Sequence, residues 1–78
     1  MESLETYGIR RVSPYVFAEI IQTKRYLGRK TIPMYVWLHD RWVRIYVCPE
    51  LKLYILPYYA PEEVERYLLM KLNNVFVS

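Results

Sequence analysis

The residues with chemistry to offer are few. The only histidine, His39, stands beside the only aspartate, Asp40, between two runs that read as strands. Neighbouring residues of a tight turn are neither desolvated nor oriented as a general acid–base pair must be. The only cysteine, Cys48, precedes Pro49 at a strand end, and the one imidazole that would activate it lies at the other end of the hairpin. Cys48 therefore reads as a small apolar filler. One His and one Cys do not make the usual zinc ligand sets, and no Gly-rich phosphate loop is present. A chain of 78 residues also has little room for a buried pocket. The expectation is a non-enzymatic protein with no metal and no cofactor.

Charge and aromatic rings are the more informative chemistry. The chain carries +3 overall, unevenly spread. Residues 24–52 hold Lys24, Arg25, Arg29, Lys30, Arg41, Arg44 and Lys52 against Asp40 and Glu50, whereas both flanking stretches are slightly acidic. A local basic surface attracts polyanions even when the total charge is modest. The densest run, Lys24-Arg25-Tyr26-Leu27-Gly28-Arg29-Lys30, reads either as cations balancing a helix end or as a phosphate-contacting patch. Arg10-Arg11 would extend that patch if the N-terminal arm lies nearby.

The elements that must position these groups follow from periodicity. Residues 1–12 form an arm or a short edge strand. Ser13-Pro14 opens a helix, with Ser at the N-cap and Pro at the first helical position. Phe17, Ile20, Ile21 and Leu27 recur at helical spacing, which predicts a helix over 14–27 with Gly28 just past its end. From Thr31 the period falls to two. Met34–Leu38 and Trp42–Val47 are rich in β-branched and aromatic residues, and His39-Asp40-Arg41 between them reads as a tight hairpin. Leu51–Leu56 makes a third strand. Pro61-Glu62-Glu63 starts a second helix, where the dipole favours the carboxylates. Val64, Tyr67, Leu68 and Leu72 form its apolar stripe, Asn73-Asn74 closes it, and Val75-Phe76-Val77 reads as a short C-terminal strand or a docked tail. The fold class is α+β in one domain, 1–78. It is a two-layer α-β-β-β-α arrangement, with a three-stranded antiparallel sheet and two helices.

Register then separates two faces. An even hairpin loop puts Met34, Val36, Leu38, Val43, Ile45 and Val47 on one side. Tyr35, Trp37, His39, Trp42, Arg44 and Tyr46 lie on the other. The third strand splits by the same pattern, with Leu51, Leu53 and Ile55 on the aliphatic face and Lys52, Tyr54 and Leu56 on the aromatic one. The aliphatic face is the natural core for both helices. The rings of Tyr35, Trp37, Trp42, Tyr46 and Tyr54 would form a larger apolar patch than monomers usually expose, so a cover is expected. One cover is intramolecular, by a helix or by the arm. A second is a two-fold dimer through Trp37, Trp42, Tyr46 and Tyr54. The third is DNA or RNA, with bases on Tyr35 and Trp37 and phosphates on Lys24, Arg25, Arg29, Lys30, Arg44 and Lys52. Tyr–Arg mixtures also mark protein interfaces, so a protein partner or a viral accessory role is the competing class.

The acidic start Met1-Glu2-Ser3-Leu4-Glu5 does not read as a signal peptide, and no apolar run approaches the ~20 residues of a membrane span. A single free cysteine fits an intracellular, cytoplasmic setting. Nine Tyr among many Ile, Val and Arg, with few amides, resemble the small orphan proteins of hyperthermophilic archaea and their viruses. The order of elements is similar to the double-stranded-RNA-binding domain. However, that family's basic start to its second helix is replaced by Pro61-Glu62-Glu63, which repels phosphate, so none of its RNA contacts transfers.

Overall fold

A computed structural model describes residues 7–77, with side chains through residue 70. Strand β1 (Gly8–Val12) leads into helix α1 (Pro14–Thr23), followed by a two-stranded ribbon of β2 (Arg25–Tyr26) and β3 (Arg29–Lys30). The hairpin of β4 (Ile32–Leu38) and β5 (Arg41–Cys48) comes next, then β6 (Leu53–Pro57) and α2 (Glu62–Val77). The main sheet is mixed, in the order β1-β6-β5-β4. The fold is α+β as expected, but the sheet has a fourth strand. The 1–12 arm supplies it, with residues 8–12 pairing parallel to β6 from Gly8↔Leu53 to Val12↔Pro57. Residues 1–6 lie outside the described residues.

The start of α1 follows its local signals. The Ser13 hydroxyl accepts from the Val16 amide at 3.3 Å, and Pro14 occupies the first turn. Its end comes one turn sooner than apolar spacing predicts. The Thr23 hydroxyl donates to the Glu19 carbonyl and accepts from the Arg25 amide, drawing the backbone out of the helix. Lys24 then turns left-handed at φ 61°, with its N–H on the Ile20 carbonyl. Gly28 is therefore no helix terminator. With Leu27 it forms the two-residue turn of the β2–β3 ribbon, both residues having positive φ as a hairpin of this type requires.

The two helices pack on opposite faces of the sheet, so the arrangement has three layers rather than two. Val64 and Leu68 of α2 bury Val36, Ile45 and Leu56, with Met34, Leu38 and Val43 packed alongside. This is the aliphatic face. Phe17 and Ile20 of α1 instead bury Tyr46, Cys48, Ile55 and Val12 on the other side. Between β4 and β5 the expected register holds, including Trp37↔Trp42 and Tyr35↔Arg44. The β5–β6 register is shifted by one residue from the expected split: Tyr46 opposes Ile55 and Cys48 opposes Leu53. Leu53 and Ile55 therefore lie beneath α1, while Tyr54 and Leu56 face the α2 side. The cause is the connecting turn, where Lys52 at φ 54° bonds back to the Pro49 carbonyl and adds a residue to the loop.

Arg11 fixes where α2 begins. Reaching across from β1, its guanidinium donates to the carbonyls of Tyr58 and Ala60 at 3.1 and 2.7 Å and pairs with Glu65 at 2.7 Å. The helix continues through Asn73-Asn74 to Val77, so the expected C-terminal strand is helical instead. No helix among the described residues is long and apolar enough to cross a membrane.

Candidate nucleic-acid interface

Helix α1 covers only part of its sheet face. Tyr46 and Cys48, at the C-terminal half of β5, are sealed beneath Phe17 and Ile20. The N-terminal half of β5 and the facing part of β4 remain bare, with Tyr35 55% exposed, Trp37 51% and Trp42 63%. The two indoles are cross-strand partners, with ring centroids 5.0 Å apart and planes tilted by 55°. That geometry is a favourable aromatic pair, and it leaves outward ring surface available for stacking.

Arg44 supplies the charge. It stands across from Tyr35, and its guanidinium reaches the Tyr46 hydroxyl at 3.5 Å, between the buried ring and the bare ones. Neither β4 nor β5 contains an acidic residue. Beyond the end of its pairing with β6, β5 borders a cleft of about 280 Å³ walled by Phe17 and Ile21 of α1, Trp42 and Arg44 of the strand, and Tyr59 and Pro61. The bare surface is thus aromatic with a recessed, cationic flank.

Of the residues selected from sequence, the structure brings Tyr35, Trp37, Trp42 and Arg44 together on this surface. Tyr46 and Tyr54 do not belong to it. Tyr46 is core, its ring edge-on to Phe17 at 5.5 Å. Tyr54 sits on the opposite face, 5.2 Å from Tyr7, where burial and the neighbouring phenol raise its pKa above the ordinary value. Lys24, Arg25, Arg29 and Lys30 form a separate basic ribbon beside the start of β4, and Lys52 lies in the β5–β6 turn. The Arg29–Glu50 pair at 3.4 Å ties ribbon to turn. Several of these cations already bond backbone carbonyls: Lys24 to Ile21, Arg25 to Gly28, and Arg29 to Leu27. Arg10 extends the ribbon by donating to the Tyr26 hydroxyl at 3.1 Å, but Arg11 is committed to the β6–α2 loop.

Tyr59 is the contributor that sequence pattern does not single out. It lies in a loop with no periodicity, and only the packing of that loop beside β5 places it on the cleft. His39 and Asp40 occupy the exposed β4–β5 turn, and Cys48 is buried in the core. Among the described residues no three His, Cys, Asp or Glu side chains converge as metal ligands would. Comparison with protein-family models, with curated proteins and with solved structures finds no match.

Proposed function

We propose that this chain is a non-enzymatic binding module for single-stranded nucleic acid, with bases stacking on Trp37, Trp42 and Tyr35. Arg44 receives a phosphate beside the rings, and the Lys24–Lys30 ribbon offers a second, more distant cationic contact. The observation that carries this reading is the half-exposed Trp37–Trp42 pair beside Arg44, on two strands without a carboxylate. Stacking suits single strands because their bases have free faces, which a duplex withholds. The competing protein-interaction reading has its own support in the outer edge of β4, an edge strand without a charged residue.

The test is titration of short mixed-sequence single strands, with duplexes of equal length as the comparison, at about 50 mM salt. Single strands should quench tryptophan fluorescence and bind more tightly than duplex. Trp37→Ala should cost about 1–3 kcal/mol for each base that stacks there, and each phosphate contact should lower affinity by roughly 0.7 log units per tenfold rise in salt. Equal duplex and single-strand binding with unchanged fluorescence would transfer the role to the ribbon alone. Absence of any binding at mid-micromolar protein would end the proposal.

A further inference from the structure

The two outer edges of the sheet are built differently. Edge strand β1 carries Arg10 and Arg11, charges of the kind that keep exposed edges from pairing. Edge strand β4, Ile32-Pro33-Met34-Tyr35-Val36-Trp37-Leu38, has no charged residue and pairs with β5 without a bulge over its whole length. Among the described residues no strand covers its outer side.

The direction of each backbone group on that edge follows from the hairpin. Leu38 and Arg41 flank a two-residue turn, so they form the hydrogen-bonded pair that closes it. Alternation then turns the N–H and C=O groups of Val36, Met34 and Ile32 toward β5. Those of Tyr35 and Trp37 point outward. Pro33 falls in the outward set, where its missing N–H costs β5 nothing.

We propose that β4 pairs antiparallel with β4 of a second copy of this chain, about a two-fold axis beside Val36. In that register Tyr35 of one copy opposes Trp37 of the other, and each pair exchanges both of its backbone hydrogen bonds. The registers centred elsewhere fit less well. An axis at Tyr35 sets Pro33 against Trp37, where a donor is missing, whereas the axis at Val36 moves Pro33 out to the end of the seam. Charge also favours the arrangement: Asp40 of one copy is brought alongside Ile32 and toward Lys30 of the other at both ends, with no like charges in register between them. A two-fold axis normal to the sheet keeps both bare aromatic surfaces on one side. The product is a continuous sheet with Tyr35, Trp37 and Trp42 of two copies forming one platform.

The inference does not require a nucleic-acid ligand, so it is tested without one. Sedimentation equilibrium of the full chain over about 1–200 µM should show the mass doubling. Over the same range, hydrogen exchange at the Tyr35 and Trp37 amides should slow by about a hundredfold or more relative to dilute protein, because among the described residues those amides have no partner in the monomer. Tyr35→Pro removes an outward amide while leaving the β5 ladder intact, so it should weaken dimerisation at least about thirtyfold with the circular dichroism spectrum unchanged. If that variant does not fold, exchange in the native chain decides the matter. A monomer throughout the range would overturn the proposal. So would a dimer in which the Tyr35 and Trp37 amides exchange as fast as in dilute protein, since the copies would then meet face to face.

Discussion

Two halves of one strand face carry the central contrast of this molecule. Trp42 and Tyr46 both sit on the α1 side of β5, four residues apart, yet Trp42 is 63% exposed and Tyr46 is 1% exposed. Both are large aromatic residues, so hydrophobicity does not separate them. The length of the cover does. The ten residues of α1 span about 15 Å, whereas the eight residues of β5 span about 27 Å. The helix seals Tyr46, Cys48 and Ile55 and stops short of the Trp37–Trp42 pair. A similar ring does stability work at one end and remains available for binding at the other.

The largest effect expected from this contrast is on stability. Tyr46→Ala removes a ring packed edge-on against Phe17 and leaves a cavity under α1, at a cost of about 3–5 kcal/mol. Trp42→Ala removes a larger side chain at a cost of less than about 1 kcal/mol, because its surface is mostly solvated already. Urea unfolding of the two variants makes the comparison directly. Equal losses would mean that α1 does not divide the face as described.

How far the contrast is legible in the sequence depends on which interactions set it. The Ser13-Pro14 cap, the period-two strands and the β4–β5 register are local, and they read correctly. The aliphatic side of that hairpin reads correctly too, since Val36 and Ile45 are core. What fails is decided by longer-range packing or by the parity of a loop. Leu27 continues the helical spacing, yet the Thr23 hydroxyl and the left-handed Lys24 end α1 before it. The β5–β6 turn carries one more residue than the expected split allows, which moves Tyr54 to the far side and Ile55 to the near one. The parallel pairing of β1 joins residues more than forty positions apart, and no local signal encodes it. The exposed pairing of Trp37 with Trp42 is therefore legible in the sequence, whereas the burial of Tyr46 is not, because that depends on the position of α1.

A smaller effect probes the segment where the cover ends. Leu27 holds φ 52° in the ribbon turn and is 62% exposed, so it contributes little packing while adopting a backbone conformation unfavourable for a residue with a Cβ. Leu27→Gly should stabilise the protein by about 0.5–1 kcal/mol in thermal or urea unfolding, since glycine enters the left-handed region without steric cost. Neither half of the β5 face is touched, so Trp37 and Trp42 fluorescence should not change. A loss of stability would show that Leu27 packs against α1 and belongs to the covered half.

The smallest effect concerns the other side of the sheet, where cover is again incomplete. Tyr54 lies on the α2 face beside Tyr7, and burial, with a further contribution from that neighbouring phenol, raises its pKa above the ordinary tyrosine value. A raised pKa means that the folded protein holds this proton more tightly than the unfolded chain. Below pH 10 both states are protonated and the group adds no pH dependence; above it the unfolded chain ionises first and stability declines until the folded phenol ionises as well. Because Tyr54 is only partly covered, solvent screens the penalty, and the decline should be shallow. Melting temperatures between pH 8 and about 11 should fall less in Tyr54→Phe than in the parent chain, with the difference opening only near pH 10. In Trp42→Ala the alkaline decline should match the parent, since that ring lies on the opposite face. An alkaline slope unchanged by Tyr54→Phe would place Tyr54 in water and make the α2 face as open at its β6 end as the α1 face is at its β4 end.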